Sequence, residues 1–165
     1  MDSRDYRNGV PVGFPGRISR LANLATEAHR VDDAAPPSVY GLAVGISAAG
    51  DVAELPASSA ADAVFGFLVA PEFSTYTEKP EPGRMGDVMR QGYMTVKVAS
   101  GTVTANGAVY IRVGNASDSH PLGEINAAAV TETSLRTVVL PGARFTGPST
   151  AASDGSCIAE IAFNL

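Results

Sequence analysis

The sequence predicts an all-β protein, with a β-sandwich or barrel body that carries an extended N-terminal arm. Three observations indicate this class. Apolar residues alternate with small or polar ones from Val39 onward, as expected for strands with one buried face. Turns rich in Gly, Pro and Asn separate these stretches at short intervals. The chain contains no long amphipathic helix pattern, and short strands without such helices favour a sandwich or barrel.

The N-terminal arm is predicted over residues 1–17. Gly, Pro and Asn recur in this stretch and interrupt both helix and regular sheet. The apolar side chains between them need a surface on which to lie. Residues 17–30 fit a short helix and an extended path equally well. The Pro-rich loop that follows predicts a division of the chain into an arm and linker, residues 1–36, and a β-rich body, residues 37–165.

The body is predicted to contain seven strands. Met94, Val96 and Val98 should face the core from one of them, because alternate residues of a strand share a face. In another, Val109, Ile111 and Val113 alternate with Tyr110 and Arg112. Residues 71–86, rich in Pro and Gly, predict a long surface loop. The strands are placed at residues 39–46, 51–55, 63–70, 93–98, 109–113, 137–140 and 157–163.

Composition and charge exclude several classes of protein. Only 18% of the residues are charged and 45% are hydrophobic, which is too apolar for an intrinsically disordered chain. The net charge of -5 argues against a nucleic-acid partner, because neutralising phosphates requires a basic surface. The apolar runs are too short for a membrane helix, and the first residues lack the apolar core of a secretion signal. We therefore expect neither a nucleic-acid nor a membrane partner.

Residues that could carry chemistry are few. The single cysteine, Cys157, lies in an alternating apolar stretch and is expected to be buried in the body. His120 is expected to be a solvated loop residue, and Asp32-Asp33 offers too few ligands for calcium. The sequence contains no motif of a nucleotide-binding loop, a metalloprotease or a serine hydrolase. We expect no enzymatic activity, no catalytic or metal-binding residues and no cofactor.

Several stretches, read together, resemble a known family. PGRMGDVMRQGYMTVKV at residues 82–98 leads to GAVYIRV at residues 107–113. LPGARF at residues 140–145 then precedes a closing strand that ends in EIAFNL. Gly13 to Gly16, followed by GLAVG at residues 41–45, fits the arm and first strand of the family. In this order the chain resembles the structural cement, or capsid decoration, proteins of tailed bacteriophages.

The resemblance implies a small all-β protein without catalytic residues that binds the outer surface of the phage head and stabilises the shell. Its partner would be the major capsid protein, and it would associate with itself as a homotrimer. It would be made in the cytoplasm of the host bacterium and be found in the virion. The arm would clasp the shell, and six of its residues are predicted to bind the capsid: Tyr6, Arg7, Val10, Val12, Phe14 and Arg17.

Two alternatives to a decoration protein remain open at this point. One is another β-structural protein of the virion, from the tail or the baseplate. The other is a small-ligand-binding β-barrel or a β-fold hydrolase. If the arm serves attachment alone, a chain that starts at Ile18 should fold like the full chain and lose most of its capsid binding.

Overall fold

The computed structural model describes residues 13–71, 79–130, 136–147, 149–151 and 154–165. Over these residues the chain consists mainly of β-strands and their connections, which confirms the predicted all-β class. One 3-10 turn, Ala61–Ala63, lies among the strands. In chain order the strands are β1 Ile18–Arg30, β2 Ala43–Ile46, β3 Val52–Ala53, β4 Gly66–Leu68, β5 Met85–Val98, β6 Ala108–Arg112, β7 Ile125–Asn126, β8 Thr137–Phe145, β9 Thr150–Ala151 and β10 Cys157–Phe163.

Five of the strands pair in a closed ring, and of the sandwich and barrel alternatives this favours the barrel. β10 runs antiparallel to the C-terminal half of β5, from Cys157 opposite Val98 to Phe163 opposite Gly92. β10 also pairs with β8, β8 with β6, and β6 with β7. β7 returns to β5 through the parallel pair of Val98 and Ile125. Because each strand of the ring has two neighbours, the ring limits the exposed sheet edge.

Side chains from every strand of the ring fill the barrel. Met94, Val96 and Val98 are each at most 1% exposed, which confirms their inward orientation. Fully burying a large aliphatic or aromatic side chain contributes about 1.5–3 kcal/mol, so this cluster is the main source of stability. Its other buried members include Val109, Ile111, Ile125, Leu140, Phe145, Ala159, Ile161 and Phe163.

The N-terminal half of β5 continues beyond the ring and forms a second region of sheet. There it pairs with β4 on one side and with β1 on the other. β4 pairs with β2, and β2 pairs with β3. Adjacent residues of β4 face opposite sides of the sheet and therefore pack in different clusters. Phe67 belongs to the barrel cluster, and Leu68 belongs to a smaller apolar cluster. The smaller cluster consists of Val31, Val44, Val52, Leu68 and Val88, with Tyr40 and Phe65 packed against it.

Residues 18–30, for which helix and extended path were both open, form the strand β1. It runs antiparallel to β5, from Ile18 opposite Met94 to Arg30 opposite Met85. The backbone hydrogen bonds of β1 therefore depend on a segment that lies between 55 residues (Arg30 to Met85) and 76 residues (Ile18 to Met94) further along the chain, which local spacing cannot reveal. β1 lies within the predicted arm and linker, and the division of the chain at residue 36 stays a prediction.

Several strands differ in extent from the prediction. β2 begins only at Ala43, because residues 39–42 form a turn, and β3 covers only Val52–Ala53. β4 covers only Gly66–Leu68, because the residues before it form the 3-10 turn. β5 begins at Met85, inside the stretch predicted as a loop over residues 71–86. Residues 72–78 of that stretch lie outside the described residues. The two-residue strand β7 was not predicted, since two residues are too few to show a period.

β8 continues where a loop was expected, through Pro141 and Gly142 to Phe145. Both Pro141 and Gly142 are exposed, and Gly142 has a φ of +77°, a conformation that glycine adopts without steric cost. The backbone amide of Asn164 donates to the Gly142 carbonyl over 2.9 Å. A proline followed by a glycine therefore marks an irregular position within the strand and not its end.

Candidate binding surface at the start of β1

The chain enters β1 through a segment that is bonded to the body. The Gly16 amide donates to the Thr95 carbonyl over 2.7 Å, and the Ala70 amide donates to the Gly16 carbonyl over 2.7 Å. The Thr95 amide donates to the Arg17 carbonyl over 2.8 Å. Gly16 has a φ of +85°, and a Cβ atom on it would lie 3.0 Å from the Gly41 nitrogen. These contacts fix the position of Phe14 and Pro15, which directly precede Gly16.

Phe14 lies next to this anchored segment and is 72% exposed. The guanidinium carbon of Arg17 lies 5.8 Å from the centroid of the Phe14 ring, which is a cation–π contact. The structure therefore places two of the six predicted capsid-binding residues together at the root of the arm. The other four, Tyr6, Arg7, Val10 and Val12, lie outside the described residues.

Arg20 holds the start of β1 against the barrel. Its guanidinium bonds the two oxygens of Glu160 on β10 over 2.6 and 3.1 Å and stacks 4.7 Å from the ring centroid of Tyr93. The Thr146 hydroxyl donates to the same carboxylate over 2.6 Å. Burial acts to raise the pKa of Glu160, but hydrogen bonds from Ser19, Thr146 and Arg20 outweigh it and the pKa is lowered. The ionised carboxylate thus joins β1 to β10.

A bulge in β1 exposes a large apolar side chain. Opposite Gly92 of β5, β1 contains the four residues 21–24. Asn23 among them has a φ of +55°, which asparagine tolerates better than most residues. Leu24 packs against the barrel core where Gly92 has no side chain. Leu21 is left 82% exposed, the highest exposed fraction of the large apolar side chains described.

The outer edge of β1 has no strand partner among the described residues, because β1 pairs with β5 alone. Ten of its 13 residues are exposed. An exposed strand edge presents amide and carbonyl groups that can bond a further strand. We call Phe14, Arg17, Arg20 and Leu21, together with this edge, the β1 surface. It offers the apolar area of Phe14 and Leu21 and the backbone groups of the strand edge, which suit a polypeptide partner.

The C-terminal end of β1 is held by charge pairs. Arg30 bonds Asp33, and it also bonds Asp51 over 2.9 Å. Hydrogen bonds to these carboxylates raise the pKa of Arg30. Both ends of β1 are therefore fastened by arginine–carboxylate pairs, while most of the strand between them stays exposed.

A cluster of polar and aromatic side chains lies between β1 and β5. Arg90 stacks on Phe65, with 3.6 Å between the guanidinium carbon and the ring centroid, and donates to the Phe65 carbonyl. Glu27 lies 3.2 Å from both Arg90 and His29. The His29 ring meets Phe65 edge-on at 5.1 Å, and its Nδ1 bonds the Gly50 carbonyl over 3.0 Å. The charge of Arg90 is therefore already matched within the protein.

A buried ion pair was not predicted from the sequence. Arg112 and Glu124 bond over 2.8 Å, with side chains only 7% and 8% exposed. His120 Nδ1 lies 2.8 Å from the second oxygen of Glu124, so the histidine expected to be a solvated loop residue is half exposed and bonded. Alternation had placed Arg112 on the outer face. Every oxygen of Glu124 has a partner, and the network serves to position the loop before β7.

The described residues show neither a metal centre nor a membrane span. No three His, Cys, Asp or Glu side chains among them are placed to hold a metal ion. No helix in the described part of the chain is both long and apolar enough to cross a membrane.

Comparison with known proteins identifies the class of protein to which these surfaces belong. The sequence match defines a capsid-associated structural protein of a bacteriophage. The chain belongs to the XM1 gp53 minor capsid protein family, whose profile it matches over residues 4–163. The resemblance to a phage capsid protein is thereby confirmed. Membership of a capsid structural family implies a non-enzymatic role and a place in the virion.

A solved structure shares the fold. A chain of the structure titled "The capsid of Myoviridae Phage XM1" superposes with a TM-score of 0.64 and 14% sequence identity. The match covers 92% of this chain and 91% of that chain, so the two folds correspond over nearly their whole length. The sequence has no significant match among curated proteins.

Proposed function

We propose that the protein is a decoration, or cement, protein that binds the outer surface of the phage head and stabilises the shell. The observation that carries this proposal is the anchored root of the arm. Gly16 and Arg17 are bonded to the body, and Phe14 next to them is exposed. A rigid barrel that presents an apolar and basic segment from a fixed point is suited to bridging neighbouring subunits of the major capsid protein.

Apolar side chains would supply most of the attachment. Burying Tyr6, Val10, Val12 and Phe14 would contribute about 1.5–3 kcal/mol each before the cost of ordering the segment. Arg7 and Arg17 would meet acidic groups of the capsid, and exposed ion pairs add only about 0.2–1 kcal/mol each. Attachment should therefore survive moderate salt, which screens the ion pairs and leaves apolar burial intact.

A homotrimer would combine three arms on one particle, so that weak single contacts become a durable attachment. The outer edge of β1, which pairs with no other described strand, and the exposed Leu21 offer surface for such self-association. Light scattering of the isolated protein should give three times the mass of the 16.9 kDa chain. If the measured mass is that of a single chain at every concentration tested, the proposal of a trimer in solution is wrong.

Capsid binding by a truncated chain tests the role of the arm. The cut belongs before Gly13, because a chain that starts at Ile18 would also lose the backbone bonds of Gly16 and Arg17 to the body. A variant of residues 13–165 should keep the melting temperature of the full chain and lose most binding to heads that lack the protein. Near-native binding by this variant would contradict the proposal.

Images of particles that lack the protein would separate the decoration role from the alternatives. Loss of density from the outer head surface is expected, whereas loss from the tail or baseplate would contradict the proposal. For a ligand-binding barrel, the barrel interior would need to be open. Instead, side chains such as Ile111 and Phe145 fill it, which supports binding of a protein partner at the surface.

A further inference from the structure

A groove lies where β2 separates from β4. The two strands pair at Val44 and Gly66, but the residues before β4 turn away in the 3-10 turn Ala61–Ala63. The resulting groove has a volume of about 840 Å³. Small and apolar residues form most of its lining, so that a main chain has room to enter. They include Ala35, Gly45, Ile46, Leu55, Ala57 and Val64.

The backbone of β2 has an amide and a carbonyl group that face this groove. The Ser47 amide bonds the Asp51 carbonyl on one side of β2, and the Phe65 amide bonds the Val44 carbonyl on the other. Because successive residues of a strand bond alternate neighbours, the amide and carbonyl of Ile46 face the groove. Ile46 lies opposite Val52 of β3, and no backbone group among the described residues on the groove side of β2 bonds its amide or carbonyl. The Ile46 side chain is 40% exposed.

The charges that line the groove are mainly negative. Asp32, Glu54 and Asp62 line it with one cation, Arg90, whose charge is already matched by Glu27. Glu54 and Asp62 have no ion-pair partner among the described residues. Glu54 is half-buried, and burial raises its pKa. A carboxylate that is partly removed from water without a cation gains stability when a cation approaches.

We propose that this groove binds an extended segment of a neighbouring capsid protein, which pairs with Ile46 as an added strand and places a Lys or Arg against Glu54 and Asp62. Backbone pairing gives such a segment its direction, and the small side chains of the groove accept its main chain. The acidic lining selects a basic partner. The groove residues are separate from the N-terminal arm, so this contact requires only that the protein belongs to the capsid.

Photo-crosslinking identifies the occupant. Ala57 is exposed in the groove lining and can be replaced in the full chain by a photo-reactive phenylalanine derivative. After irradiation on capsids, mass spectrometry should find a crosslink to another capsid protein, in a segment that contains Lys or Arg. The same derivative at Ala128, which is exposed outside the groove lining, should not give this product. No crosslink at position 57, or one only to a second copy of the chain, would overturn the proposal.

Charge reversal tests the acidic lining. Asp62→Lys should bind capsids about fivefold more weakly, and the difference should shrink at high salt. Asp87→Lys makes the same change of net charge at an exposed site outside the groove lining and should bind like the wild type. Ala57→Trp fills the groove without changing charge and should also weaken binding. Unchanged binding by both groove variants would overturn the proposal.

The proposed role of the arm and the proposed role of the groove can be tested separately. If residues 13–165 lose binding while the groove variants bind normally, the groove proposal is wrong and attachment by the arm stands. If the groove variants lose binding while residues 13–165 bind normally, the proposed role of the arm is wrong and the groove proposal stands. Melting temperatures equal to that of the wild type would show that each variant is folded.

Discussion

The barrel and the β1 surface are both built of β-structure, but different interactions hold them. Strands of the barrel are bonded on both sides and enclose a cluster of fully buried apolar side chains. Among the described residues β1 is bonded to a strand on one side only, ten of its 13 residues are exposed, and arginine–carboxylate pairs fasten its ends. If the proposed role of the β1 surface is correct, stability and binding depend on separate regions. Substitutions in one region should then leave the property of the other unchanged.

The strongest test compares two phenylalanines. Phe145→Ala in the barrel core should lower the free energy of unfolding by about 3–5 kcal/mol, because it removes a ring that is 1% exposed and leaves a cavity. Phe14→Ala, at a ring 72% exposed, should change it by less than about 0.5 kcal/mol. Urea denaturation measures both. A large loss of stability in Phe14→Ala would contradict the separation of the two regions.

The effects of substituting Arg112 and Glu124 on the free energy of unfolding should depend on each other. Glu124→Leu should destabilise the fold by about 3 kcal/mol, because it leaves the charge of Arg112 buried without a partner. The double variant Arg112→Met with Glu124→Leu should recover most of this loss, since neither charge then needs a partner. Denaturation of the single and double variants gives the coupling. Equal losses in both would show that packing, and not the unmatched charge, is responsible.

Gly41 should connect the two regions. Gly41→Ala puts a Cβ atom 2.8 Å from the Gly16 nitrogen at a φ of +84°, and should cost about 2–3 kcal/mol and displace the root of the arm. Gly50→Ala has a similar φ of +89° with open space around it, and should cost only about 1 kcal/mol. Capsid binding should fall in Gly41→Ala alone. Equal effects of the two variants would show that close packing at the root is unimportant.

The smallest effect is expected from the link between β1 and β10. The pKa of Glu160 is lowered from its ordinary value of 4.5, so its contribution to stability is present above that pH and is lost as the pH falls through the lower folded value. Glu160→Gln should therefore lose less stability than the wild type in this acidic range. The difference should stay below about 1 kcal/mol, since Arg20 is exposed. Denaturation at different pH measures this. If the free energies of unfolding of the wild type and of Glu160→Gln change in parallel with pH, the role assigned to the Glu160 carboxylate is wrong.

The alternation of residues was sufficient to predict much of the barrel. The strand predicted at residues 157–163 is β10, and Met94, Val96 and Val98 face inward as expected. These predictions succeed because the two faces of these strands meet different surroundings, so the residue types differ between them. Cys157 shows the limit of the rule, because it packs against the core at the strand end but is only half-buried.

The features proposed to bind the capsid were less visible in the sequence. Gly and Pro in the first 17 residues indicated an arm, yet they could not show that Gly16 is bonded to Thr95 and faces Gly41. The groove is likewise hidden, because Ile46 and Asp62 line the same space only when the residues before β4 turn away from β2. Such contacts join residues that are distant in sequence, and a local sequence pattern therefore cannot predict them.

The sequence by itself determined the all-β class, the inward faces of the main strands and the positions of most turns, because these depend on residue type and on local periodicity. Only the tertiary structure decided that residues 18–30 are a strand, that Arg112 is buried with Glu124, and that the strand pairings close a ring. The physical reason is that a backbone group or a charge accepts whichever partner the folded chain brings to it. That partner is set by long-range packing.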